Sequence, residues 1–144
     1  MYSSNRSDTR QMFFDVWHKL QAGDPMTAME SVVAEVIRLH PEYHRHLADA
    51  GKTLDRDWLP EGGETNPFLH MGMHIAIREQ LSIDRPLGIK AAHAALLRAL
   101  EDAHAAEHAM LECLAETLWR AQRESRLPDE QAYLNCLQER SRLR

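Results

Sequence analysis

Apolar positions recur with helical spacing along most of the chain, and no sustained alternation marks a strand. Met12, Phe13, Val16, Trp17 and Leu20 share one face of a helix predicted over residues 7–21, with Gly23 as its terminator. Thr27 and Glu30 have capping-box spacing ahead of a second helix, whose stripe is Met29, Val32, Val33, Val36 and Ile37. Pro41 ends or kinks that helix near His40, because proline lacks an N–H and disfavours α geometry in the residue before it. A short helical piece over residues 42–50 is expected next, then a loop over 51–65 containing Pro60, Gly62 and Gly63.

Asn66-Pro67 supplies an N-cap and a proline at the first position of a third helix, running to about Leu81. Its first half is apolar almost all round (Phe68, Leu69, Met71, Met73, Ile75), which predicts a central place. After a turn at residues 84–88 the helical pattern continues from residue 89 to residue 124, long enough for a globular helix that a bend is possible, though nothing in the sequence fixes where. Pro128 opens a last helix to about Arg140. The expectation is an all-α fold: one single-domain helical bundle of about five helices over residues 1–144.

Composition narrows the function classes. The chain has 144 residues, a formal charge of −5, 44% apolar and 27% charged residues, so it has material for one well-buried domain and is not a disordered tail. The polar start predicts no secretory signal, and no apolar run is long enough for a membrane span. The acidic balance and the short arginine tail at residues 140–144 predict no nucleic-acid partner. Cys113 and Cys136 lack metal or redox spacing and suit a reducing cytoplasm. Neither a nucleophilic elbow nor a glycine-rich phosphate loop is present. A homo-oligomer is plausible for a small helical protein but has no specific support in the pattern, and no small-molecule substrate can be read from it.

The chain is unusual in its nine histidines. Three pairs, His40/His44, His70/His74 and His104/His108, have i, i+4 spacing, where chance would give about half a pair. One helical turn sets such a pair on the same face, within reach of one ion. His70 and His74 continue into Ile77 and Leu81 on the third helix. His93, Leu97, Leu100, His104, His108, Leu111, Ala115 and Leu118 form one stripe on the fourth, and both faces are expected to look inward. In a simple hairpin His70 would oppose His104, and His74 would oppose Glu101. The candidate metal ligands are therefore His70, His74, His104, His108 and Glu101, with zinc or iron favoured by imidazole-rich ligation. Glu107 or Glu112 could orient an imidazole. His40 and His44 flank Pro41, so a single helix face cannot be assigned to both, and His18 and His46 are expected to face solvent. The glycine pair in Glu61-Gly62-Gly63-Glu64 is read as a flexible loop or a lid leading into His70. The alternative is a non-enzymatic interaction or scaffold protein whose histidines form a buried structural network.

The run Asn66-Pro67-Phe68-Leu69-His70-Met71-Gly72-Met73-His74-Ile75-Ala76-Ile77-Arg78-Glu79-Gln80 resembles a known bacterial family, as do Asp84-Arg85-Pro86, Asp102-Ala103-His104-Ala105-Ala106-Glu107-His108-Ala109-Met110 and His40-Pro41-Glu42-Tyr43-His44. That family is the domain of unknown function 1841 family, and the resemblance runs over nearly the whole chain. It implies a short single-domain protein and carries no assigned substrate, cofactor or catalytic residue. In architecture alone the expected bundle is similar to metal-binding DinB-like and hemerythrin-like bundles, without the full ligand order of either.

Overall fold

The computed structural model describes residues 6–59 and 62–142. Among them the chain is helical with no strand, which agrees with the all-α expectation. The count differs: eight α-helices are present among the described residues, against an expectation of about five. They are α1 (Arg6–Ala22), α2 (Ala28–Arg38), α3 (His44–Leu47), α4 (Ala50–Thr53), α5 (Pro67–Ile83), α6 (Ile89–Leu100), α7 (Ala103–Arg123) and α8 (Glu130–Arg142). A 3-10 turn, Pro41–Tyr43, lies between α2 and α3.

The added elements have local causes. His40 leaves α geometry at φ −128°, ψ 63°, and Pro41 starts the 3-10 turn, as proline's effect on its neighbour requires. The long helix predicted over residues 89–124 is broken. Glu101 adopts the left-handed conformation at φ 55°, ψ 31°, ending α6. The Asp102 carboxylate then accepts the His104 N–H at 3.1 Å and caps α7. An acidic residue inside an Ala- and Leu-rich pattern reads as a solvated helix position, and here it serves as a cap.

The chain divides into two compact units, Met1–Ile75 and Ala76–Arg144. In the first, Phe13, Phe14 and Val16 of α1 pack with Val33, Val36 and Ile37 of α2, and Phe68, Met71 and Ile75 of α5 join the same cluster. The α2 capping box is complete: Thr27 Oγ1 accepts from Glu30 N at 3.1 Å, and Glu30 Oε1 accepts from Thr27 N at 2.9 Å. Asn66 Oδ1 accepts from the N–H of Phe68 and of Leu69, so the start of α5 forms as the sequence predicts. Arg10 is 4% exposed, and its guanidinium donates to the carbonyls of Thr53, Leu54 and Arg56 while lying over the Trp58 and Phe68 rings. One buried cation thus fixes the turn after α4.

In the second unit α6, α7 and α8 pack on one another, burying Ile89, Leu96, Met110, Leu114, Tyr133 and Leu137. Cys113 of α7 and Cys136 of α8 form a disulfide with Cα atoms 5.9 Å apart. This corrects the reading of the cysteines: they are paired, so they no longer argue for a reducing compartment. Among the described residues, no helix is long and apolar enough to cross a membrane.

Candidate metal centre

Three imidazoles converge in the first unit: His40, His70 and His74 each offer one nitrogen, and the three atoms lie within 4.8 Å of one another. His40 and His74 are buried, at 3% and 2% exposure, and His70 is half-buried. Ring centroids are 5.1 Å apart for His40–His70, 4.7 Å for His40–His74 and 4.9 Å for His70–His74.

Each side chain arrives there for a local reason. His70 and His74 are one turn apart on α5, a helix started by the Asn66 cap. His40 follows Val33, Val36 and Ile37 at helical spacing, so it extends the buried stripe of α2 by one position just before Pro41 stops the helix. The His40 Nδ1 lies 2.7 Å from the Val36 carbonyl oxygen. A carbonyl can only accept, so Nδ1 carries the proton and the lone pair is on Nε2. In the neutral ring this tautomer is one of the two that can ligate a metal, here through Nε2, with the other nitrogen held by a backbone carbonyl.

The His70 and His74 Nε2 atoms are 3.2 Å apart. Two imidazoles on one tetrahedral zinc, with bonds of roughly 2.0–2.1 Å, would hold their nitrogens about 3.4 Å apart. The observed spacing fits joint ligation, and it equally fits an N–H···N hydrogen bond between two neutral rings. The surroundings are aromatic. Tyr43 stacks on His40 with ring centroids 5.6 Å apart and planes at 5°, and stands 6.0 Å from His70. Burial raises the Tyr43 phenol above its ordinary value, with the Glu42 charge adding to the effect.

Of the five predicted ligands, His70 and His74 belong to this group. His104 and His108 lie in the second unit, at the start of α7, with ring centroids 4.5 Å apart. His104 is exposed and His108 half-buried, and further along the same stripe Ala115 and Leu118 are exposed. That stripe therefore does not look inward as expected. The cause is the break at Glu101, which removes the single straight helix on which the hairpin register of His70 with His104 and His74 with Glu101 was built. Glu101 itself is the exposed left-handed residue that ends α6. Glu107 pairs with Arg78 at 3.4 Å, and Glu112 with Arg140 at 2.6 Å.

The remaining histidines divide further. His44 is turned away from the cluster, its Nε2 2.9 Å from the Ile37 carbonyl and its ring 4.7 Å from that of Trp17. His18 is exposed, as expected. His46 is 7% exposed and packs against Trp58, contrary to the solvent-facing expectation. Burial lowers its affinity for a proton, as does Arg45, while Glu64 opposes. Glu64 holds Arg45 at 3.1 Å and Arg56 at 2.5 Å. Glu61 of the proposed lid lies outside the described residues, as do Leu143 and Arg144 of the tail.

Sequence reasoning missed His40 as a member of the group. The signal is its helical spacing from Val33 and Val36, which the stop at Pro41 masks.

No curated protein and no solved structure matches the chain. A family model described as a domain of unknown function matches residues 5–139, the stretch over which the resemblance was read. The chain belongs to that family, DUF1841.

Proposed function

We propose that this protein binds one transition-metal ion through His40, His70 and His74. The observation that carries the reading is the convergence of three imidazole nitrogens within 4.8 Å, two of the rings being almost wholly buried. The His40 tautomer supports it, since the Val36 carbonyl holds the proton on Nδ1 and leaves the lone pair of the neutral ring on Nε2. Neutral imidazole donors suit zinc or iron(II). Three protein ligands leave a coordination position for water or a small ligand, the arrangement from which metal centres bind or polarise substrates.

A titration of the metal-free protein with zinc tests the ligand set. His40→Ala, His70→Ala and His74→Ala should each weaken binding by at least about tenfold, as expected for loss of one ligand or its orientation. His104→Ala and His18→Ala should bind as the unaltered chain does. Equal loss in His104→Ala and His74→Ala would contradict this ligand set.

The second reading is a structural histidine network in a non-enzymatic interaction protein, favoured by the 3.2 Å contact that His70 and His74 can make as a hydrogen bond. Under it, zinc produces no saturable binding, and His74→Ala acts on stability alone.

A further inference from the structure

We propose that the Cys113–Cys136 bond is a redox site, opened by thiol–disulfide exchange with a dithiol reductant, and that it latches α8 to α7. The proposal concerns the second unit and does not depend on the metal reading.

The bond's position carries the argument. Both cysteines line a cavity of about 320 Å³ between α7, the turn that follows it and α8, together with Thr117, Arg126, Asp129 and Asn135. A disulfide sealed in an apolar core meets no nucleophile, whereas this one stands in the wall of an open cavity with charged and polar side chains in its lining. The two sulfurs are not equivalent. Cys113 is 1% exposed and Cys136 is half-buried, so an incoming thiolate meets Cys136 first.

The exchange balances as follows. A thiolate of the dithiol attacks Cys136 Sγ and forms a mixed disulfide, and Cys113 Sγ leaves with the electron pair and takes a proton from water. The second thiol of the reductant, as thiolate, attacks its own sulfur in the mixed disulfide and releases Cys136 as thiolate, which is protonated in turn. The reductant is oxidised by two electrons to a disulfide, and the protein gains two thiols.

What the latch holds is a helix with a narrow buried face. Besides the disulfide, α8 is anchored by the buried side chains Tyr133 and Leu137, a Tyr133 O–H donated to Gln80 Oε1 at 2.8 Å, and the Arg140–Glu112 ion pair. These contacts keep α8 docked when the bond opens, so reduction loosens the helix without releasing it. The bond closes a chain segment with a sequence separation of 23, and its loss returns that freedom to α8 and the preceding turn.

The test treats the full-length protein with dithiothreitol in non-denaturing buffer, traps thiols with N-ethylmaleimide and weighs the intact chain. The expected result is two added groups, at Cys113 and Cys136, in a chain whose helical circular dichroism is retained. Amide exchange over residues 130–142 should rise several-fold on reduction, and the Cys113→Ser/Cys136→Ser variant should show the same rise without reductant. Labelling only after denaturation, cysteines isolated as two thiols without reductant, or unchanged exchange in α8 would each overturn the proposal. The wild-type measurement stands by itself should the double variant fail to fold.

Discussion

Arg10 contributes most through what it satisfies. A buried guanidinium donating to three carbonyls replaces the water those groups would otherwise bind, and its removal strands them. Arg10→Ala should therefore lower the unfolding free energy by about 2 kcal/mol in urea titrations. A change within experimental error would mean that the turn after α4 is held by other contacts. Histidine titration acts in the opposite sense. Burial depresses the proton affinity of His93, with Glu107 only partly opposing. The unfolded chain then binds more protons than the folded one between the folded value and the ordinary value of 6.5. Stability should be full above 6.5 and fall as pH drops through that window, and His93→Gln should flatten this part of the profile. A profile of unchanged slope in the variant would remove His93 from the account. At this scale the sequence was partly legible. The His70/His74 pair could be read from spacing, because helical periodicity is local. His40 lies four residues beyond Val36 on the buried stripe, but the stop at Pro41 hides that it still faces inward, since the backbone leaves α geometry at His40 itself.

Elements were legible where a cap announced them. The Thr27–Glu30 box and the Asn66 cap both form as the spacing predicts, since each satisfies N–H groups that the first helical turn leaves unpaired. Thr27→Ala should cost about 1 kcal/mol of stability in chemical denaturation, and Thr27→Ser should cost much less. Equal losses would show that the hydroxyl is not the stabilising group. The boundary between α6 and α7 was not legible, because Glu101 and Asp102 continue a plausible amphipathic pattern and only the left-handed Glu101 backbone reveals the break. That one residue has large consequences. A straight helix carries its apolar stripe in register over its whole length, whereas a break resets it, and His104 becomes exposed. The Cys113–Cys136 pairing was hidden for a related reason: residues on two different helices meet only through their packing, and their spacing along the chain fits no local motif.

At the scale of the molecule, the first compact unit holds the histidine cluster and the second holds the disulfide. A ligand that binds only the folded chain stabilises it by mass action, so zinc at 100 times its dissociation constant should add about 2.7 kcal/mol to the unfolding free energy. His74→Ala should lose this increment. Metal binding is read most directly by elemental analysis of full-length protein purified without a histidine tag, before and after reconstitution with zinc or iron. The reconstituted protein should hold one ion per chain, and His74→Ala far less than one. Metal content well below stoichiometric after reconstitution with either ion would contradict the metal reading.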